Sequence, residues 1–191
     1  MSEHLTDQQL VERVQRGDKN AYNLLVIKYQ HKVANLVSRY VSNGDIPDVT
    51  QEAFIKAYRA LPGFRGESAF FTWLYRIAVN TAKNYLVSQR RRPPGSDVEI
   101  GDAEYYEGGD ALKELSSPEH LMLSDEIKRA VFDTIDALPE DLKTAITLRE
   151  LEGMSYEDIA NVMDCPVGTV RSRIFRAREA IDKRVQPLLQ G

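Results

Sequence analysis

Apolar residues recur three and four positions apart over most of the chain, which is the spacing of one face of an α-helix. In the N-terminal half this spacing predicts helices that are separated by glycine- and proline-containing turns. Their expected spans are Leu5–Gly17, Ala21–Val41, Pro47–Leu61 and Ser68–Gln89. Nowhere do apolar and polar residues alternate long enough to predict a strand, so the expected fold class is all-α.

The same spacing predicts four helices in the C-terminal half. Pro118 and Pro139 each lie near the first turn of one of them, where the missing N–H of proline leaves no helix hydrogen bond unmade. The last two helices are short patterns between Ser155 and Arg178, separated by a tight break. This arrangement is typical of a helix-turn-helix and makes duplex DNA the first candidate ligand.

The second helix of this pair can be phased by placing residues at about 100° per step. Its apolar residues share one stripe that we expect to be buried: Val167, Val170, Ile174, Ala177 and Ile181. The opposite face and its flanks have side chains suited to base edges or to phosphates: Thr169, Arg171, Ser172, Arg173, Phe175, Arg176 and Arg178. An ordinary helical hairpin with a solvated basic face is the alternative.

The first helix of the pair begins with a recognisable cap. Ser155 is suited to the N-cap position, and Asp158 follows three residues later. We expect Ile159, Ala160 and Met163 to form the inner side of this helix. The turn between the two helices has Asp164 where glycine is usual, and aspartate tolerates unusual turn geometry better than most residues.

Aromatic and basic residues are interleaved in the N-terminal half. Five rings lie within twelve positions, namely Phe64, Phe70, Phe71, Trp73 and Tyr75, and residues 48–92 contain eight basic and three acidic residues. Rings on which bases stack, alternating with cations that pair with phosphates, are typical of single-strand binding. The alternative is that most of these rings are core, which we favour for Phe70 and Trp73 but not for the loop from Phe64 to Ala69.

The two halves are separated by a segment of different composition. Residues 93–112 contain six acidic residues, four glycines and two prolines, with no basic residue. Such a segment has too few apolar residues to fold by itself. We therefore predict an N-terminal domain over residues 1–92, a flexible acidic linker over 93–117 and a C-terminal domain over 118–191.

Other classes of function have less support. The histidines are scattered, at His4, His31 and His120, and Cys165 is the single cysteine. We therefore predict no metal site, no cofactor and no disulfide. No catalytic constellation is apparent, and we predict a protein that is not an enzyme. The chain shows no signal peptide or membrane span, which predicts a soluble cytoplasmic protein. A helix-turn-helix regulator that binds operators alone remains open, although it would leave the aromatic loop unused and no dimer seam is visible.

Four segments resemble bacterial sigma factors of the extracytoplasmic-function group, most closely the envelope-stress (sigma-E) type. They are residues 48–54 (DVTQEAF), 72–80 (TWLYRIAVN), 138–142 (LPEDL) and 165–173 (CPVGTVRSR). The resemblance covers essentially the whole chain. It implies an alternative sigma factor that binds core RNA polymerase and reads the −35 and −10 elements of promoters. It also implies a membrane-anchored anti-sigma factor as a partner, and a monomer when free.

The resemblance assigns roles by position. The surface implied to dock on core polymerase comprises Asp48, Gln51, Glu52, Phe54 and Tyr58. The single-stranded −10 element is implied to contact Phe64, Arg65, Ser68, Ala69, Asn80 and Lys83. The duplex −35 element is implied to contact the helix around Arg171, Ser172, Phe175 and Arg176. On the first surface, the residues themselves add an apolar side chain, Ile55, to an otherwise polar outer face, for which a solvated helix face is the alternative.

Overall fold

The computed structural model describes residues 5–91 and 118–190, and side chains of the second range from residue 122 onward. All regular structure in these two ranges is helical, which confirms the all-α prediction. The chain divides into two compact units, the first containing residues 5–91 and the second most of residues 118–190. The predicted acidic linker lies outside the described residues. Within the described helices, none is both long enough and apolar enough to cross a membrane.

The N-terminal unit contains four α-helices: α1 (Asp7–Gln15), α2 (Lys19–Val37), α3 (Ile46–Ala60) and α4 (Phe70–Arg90). Single 3₁₀ turns at Asn43–Asp45 and Leu61–Gly63 precede and follow α3. Helix α2 ends four residues before the predicted Val41. There the Ser38 hydroxyl donates to the Asn35 carbonyl oxygen at 2.6 Å, a local bond of the kind that competes with helix continuation.

Helices α2, α3 and α4 pack through small residues as well as large ones. Ala21, Ala53 and Ala78 are fully buried, which lets the backbones approach closely. Leu25 and Leu74 fill the space between them and are also fully buried. This core determines which side chains of α3 and α4 remain on the surface.

Asp18 joins α1 to α2. Its Oδ1 accepts hydrogen bonds from the backbone N–H groups of Asn20 and Ala21 at 3.0 and 3.3 Å, which caps α2. Its Oδ2 accepts from Arg13 Nε and Nη2 at 3.0 and 2.7 Å. The bond to Arg13, with these backbone bonds, lowers the pKa of the Asp18 carboxyl group despite an opposing effect of desolvation.

We expect Asp18→Ala to lower Tm by a few degrees, because α2 loses its cap and the ion pair together. Asp18→Asn keeps a capping oxygen and should lower Tm less. Since folding lowers this pKa, the contribution of the ionised carboxylate is present above the unfolded pKa and is lost as pH falls through the folded one. Thermal unfolding between pH 7 and pH 3 checks both statements, and equal pH dependence of wild type and Asp18→Asn would contradict the second.

The C-terminal unit contains α5 (Pro118–Ala137), α6 (Glu140–Ile146), α7 (Tyr156–Met163) and α8 (Val167–Leu189). Helix α6 continues into a π-helical turn at Thr147–Leu151, where the Glu152 N–H donates to the Thr147 carbonyl oxygen five residues back at 3.2 Å. The core of this unit lies between these helices, where Ile146, Leu148, Ile159 and Ile174 are at most 1% exposed.

Candidate nucleic-acid interface

The predicted helix-turn-helix is present as α7 and α8. The Ser155 Oγ accepts from the Asp158 N–H at 3.1 Å, as expected of the cap. Asp164 has a φ of 53°, which places it in the left-handed region that the turn requires. The next N–H, of Cys165, donates to the Ala160 carbonyl oxygen at 3.1 Å and completes the turn between the helices.

The predicted apolar stripe of α8 faces the core. Val170, Ile174 and Ala177 are buried, whereas Val167 and Ile181 at the ends of the stripe are half-buried. On α7, Ile159 and Ala160 are buried as expected. The prediction missed Val162, which is 2% exposed, and Met163 is only half-buried because the helix ends there and the chain turns at Asp164.

The outward face of α8 combines cations with one large exposed ring. Arg171, Ser172, Phe175 and Arg176 are all exposed, and Phe175 is 69% exposed. Arg176 Nη2 lies 3.4 Å from the Ser172 Oγ one turn earlier, so the two polar groups point to the same side of the helix. Thr169 is half-buried. An exposed phenylalanine can pack on a thymine methyl group, and the arginines on either side of it can donate hydrogen bonds to neighbouring base edges.

Two of the arginines predicted to contact DNA form ion pairs within the protein, Arg173 half-buried and Arg178 exposed. The Arg173 side chain is 20% exposed, with Nη2 at 3.4 Å from Asp141 Oδ2 and Nη1 at 3.6 Å from Cys165 Sγ. Arg178 donates through Nε to Glu150 Oε1 at 3.0 Å and also contacts it through Nη2. The hydrogen bond that Arg178 donates to Glu150 raises the pKa of the guanidinium. These pairs connect α8 to α6 and to the π-helical turn.

Arg149 is a structural residue that the sequence reasoning missed. Its Nη1 donates to the Met154 carbonyl oxygen at 2.8 Å, and its guanidinium lies 4.8 Å from the centre of the Tyr156 ring. The side chain thereby supports the segment that leads into α7. The sequence contains no signal for this contact, because it depends on how the π-helical turn orients Arg149.

The aromatic residues of the N-terminal unit form a cluster at the beginning of α4. The Phe64 and Trp73 rings are 5.0 Å apart, and Phe70 lies 6.3 Å from Phe64 and 5.8 Å from Trp73. Phe70 is buried, as the alternative interpretation had it, whereas Phe64 and Trp73 are half-buried. Tyr75 is also buried and Phe71 packs on it at 6.0 Å. Two of the five rings are therefore core, and Phe64, Phe71 and Trp73 are partly accessible.

The loop from Phe64 to Ala69 supplies polar groups above this cluster. Arg65 and Ala69 are exposed and Ser68 is half-buried, while Gly66 has a φ of 75° that side-chain-bearing residues rarely adopt. The other two residues implied for the −10 strand lie further along α4: Asn80, which is exposed, and Lys83, which is half-buried. The predicted −10 contacts of the loop and those of α4 thus all belong to the N-terminal unit.

Helix α3 presents the face implied to bind polymerase. Asp48, Gln51 and Glu52 are exposed, and beside them Ile55 and Tyr58 are 43% and 40% exposed. Two apolar side chains of this size on a charged helix face are typical of a protein interface rather than of a solvated surface.

Phe54 differs from the other members of that predicted set because its side chain is only 7% exposed. It packs in the core, and its carbonyl oxygen accepts a hydrogen bond from the Tyr22 hydroxyl. The Tyr22 ring in turn lies 4.9 Å from Tyr58. Phe54 therefore supports the exposed face from beneath. Its place in the predicted set came from the family resemblance, whereas the helical spacing puts Ile55 rather than Phe54 on the outer face.

Comparisons with known proteins found matches in both units. The model of Sigma-70 region 2 matches residues 25–92, and that of Sigma-70, region 4 matches residues 128–181. The ECF RNA polymerase sigma-E factor of Escherichia coli strain K12 is 74% identical over 190 residues, covering 100% of both chains.

Two solved structures share the fold. CnrH in complex with the cytosolic domain of CnrY has a TM-score of 0.67 at 24% identity, covering 95% of this chain and 97% of that one. The sigma factor RpoE of Bartonella quintana in complex with the anti-sigma factor NepR also has a TM-score of 0.67, at 20% identity, covering 86% and 96%. With these matches in both units, the chain belongs to the sigma-70 family, within the extracytoplasmic-function group that contains the sigma-E factors.

Proposed function

We propose that this chain directs core RNA polymerase to promoters by reading a −35 element as duplex and a −10 element as a single strand. The single most informative observation is the outward face of α8, where Arg171, Phe175 and Arg176 are exposed while the neighbouring apolar stripe is buried. Promoter-specific initiation is the activity of this family, and the chemistry belongs to the polymerase rather than to this chain.

In the −35 contact, the arginines of α8 divide into two groups. Arg171 and Arg176 would meet DNA directly, together with Ser172 and Phe175, because their side chains are exposed. Arg173 is half-buried and pairs with Asp141, and Arg178, although exposed, pairs with Glu150, so both would act mainly by holding α8 in its orientation. This division narrows the predicted set of base contacts to the N-terminal half of α8.

In the −10 contact, the loop from Phe64 to Ala69 would receive the non-template strand. Arg65 supplies a cation for the backbone, and Phe64 and Trp73 offer half-exposed ring edges and faces on the same side. Asn80 and Lys83 on α4 extend the contact along the strand. Stacking contributes about 1 to 3 kcal/mol per base, so a few such contacts would hold a melted strand.

Core polymerase would bind the face of α3 that exposes Asp48, Gln51, Glu52, Ile55 and Tyr58. Similar folds are known in complex with the cytosolic domain of CnrY and with the anti-sigma factor NepR, which supports an anti-sigma factor as a second partner of this chain. The related sigma-E factors support an envelope-stress role, with the protein acting in the cytoplasm where polymerase and DNA are located.

Reconstitution with core polymerase tests this function. The purified chain is mixed with core enzyme and with templates that contain or lack a sigma-E-type promoter, and run-off transcripts are measured. We expect transcripts only when core enzyme, chain and promoter are all present. Tight binding of the chain alone to a specific duplex would instead support an operator-binding regulator.

A further inference from the structure

Helix α1 has no role in the function described so far. The family model of region 2 begins at residue 25, after α1 and the start of α2. Yet α1 packs closely on the rest of the N-terminal unit, since Leu10 and Val11 are each only 4% exposed. Its last residue, Gln15, reaches the 3₁₀ turn that leads into the loop from Phe64 to Ala69.

The contact is made by one amide group. Gln15 Nε2 donates to the carbonyl oxygen of Leu61 at 3.1 Å and to that of Phe64 at 2.9 Å. A glutamine amide has two N–H bonds, so both are used. The Leu61 oxygen also accepts from the Phe64 N–H at 3.0 Å, which closes the turn. The amide thus bridges the two ends of that turn.

Phe64 is therefore held from two sides. Gln15 binds its backbone, and Trp73 packs against its ring at 5.0 Å. The loop beyond it has less support, because Gly66 has a positive φ and Arg65 and Glu67 are exposed. The path of the loop consequently depends on how its first residue is oriented.

Gln15 is itself held in place through α1. At the beginning of the helix, Thr6 and Gln9 form a reciprocal capping box, and the Asp7 carboxylate accepts from Lys28 Nζ at 2.6 Å and from the Tyr29 hydroxyl. At its end, Arg13 pairs with Asp18. A short helix fixed to α2 at both ends provides a rigid support for one side chain.

We propose that Gln15 is a positioning residue for −10 recognition, which holds the carbonyl groups of Leu61 and Phe64 so that the loop presents Arg65 and Ser68 in one geometry. This inference rests on the proposed function, since it assumes that the loop receives the −10 strand. It assigns a role to α1, which acts through the loop and does not touch DNA.

The test uses the full chain in holoenzyme with core RNA polymerase. Gln15→Met keeps the length of the side chain but lacks donors, whereas Gln15→Lys keeps donors. Gln8→Met is the matched control, because Gln8 lies exposed on the same helix and bonds only its neighbour Glu12 among the described contacts. Binding is measured on a forked promoter with a single-stranded −10 region, in its native sequence and with substituted −10 bases, and in parallel with a substituted −35 duplex.

We expect Gln15→Met to lower discrimination at the −10 bases about fivefold, the scale expected for lost hydrogen bonds, and to leave −35 discrimination unchanged. Gln15→Lys and Gln8→Met should stay near wild type. Trp73 is the single tryptophan of the chain, so its emission and its quenching by acrylamide should change in Gln15→Met if Phe64 has moved.

Unchanged −10 discrimination in Gln15→Met, or an equal loss at both elements, would overturn the inference. If that variant loses helix content, Gln15→Lys, which has donors, is compared with Gln15→Glu, which has none. Equal discrimination of −10 bases by these two variants would also overturn the inference. Failure of the proposed function would give a different result from failure of this inference, because the wild-type holoenzyme would then show no promoter preference at all.

Discussion

Replacing Arg176 with alanine should reduce transcription from a −35-dependent promoter about tenfold or more, the scale of one bidentate contact to a guanine edge. Arg176 is exposed in the middle of α8, and its nearest described polar neighbour is the Ser172 hydroxyl on the same face. Run-off transcription with reconstituted holoenzyme measures the effect. Arg184→Ala is the control, because it removes an exposed arginine from the same helix two turns further on.

Arg176→Lys separates charge from geometry. Lysine keeps the positive charge but lacks the planar fork, so base discrimination should fall while the dependence of binding on salt concentration stays close to that of wild type. If Arg176→Ala behaves like Arg184→Ala, Arg176 contributes only to the general field of the helix. Base readout would then have to come from Arg171, Ser172 or Phe175.

Introducing a charge at Ile55 should weaken binding to core polymerase by about thirtyfold or more, the scale of a hot-spot residue in a protein interface. The Ile55 side chain is 43% exposed next to Tyr58 on α3, and burial of an aspartate in its place would leave an unpaired carboxylate. Ile55→Asp should leave the fold intact, since the side chain is already partly in solvent. Competition of labelled wild-type chain for core enzyme measures the affinity.

Ile27→Asp is the matched control for Ile55→Asp. Ile27 is 63% exposed on α2, so the substitution changes the charge and apolar surface of the unit in the same way at another place. We expect core affinity close to that of wild type. If both variants weaken core binding equally, the effect is a general one of charge. If neither does, the polymerase contacts a different face of the unit.

Local patterns predicted the helices well because each depends on residues that are close in sequence. The buried stripe of α8, the Ser155 cap and the left-handed Asp164 all follow from side-chain type at a fixed spacing. The end of α2 was placed too late. The apolar Tyr40 and Val41 continue its pattern and are indeed buried, but in a turn beyond the helix rather than in it.

Site residues were predicted less completely than helices. Phe54 was placed among surface contacts and is buried, while the pairing of Arg173 and Arg178 with carboxylates of the same unit was not foreseen. An arginine on the flank of a helix is suited equally to a phosphate and to a carboxylate from another helix. Which of them it meets depends on where Asp141 and Glu150 lie in space.

By itself, the sequence determined the all-α class, the helix-turn-helix and the sigma-factor family, because helical spacing, caps and motifs depend on residues that are close together in the chain. Only the tertiary structure decided that Gln15 reaches Leu61 and Phe64, which lie 46 and 49 residues away along the chain. A polar side chain on a helix surface has many possible partners. The packing of helices selects one of them, since a hydrogen bond requires its donor and acceptor to be about 3 Å apart.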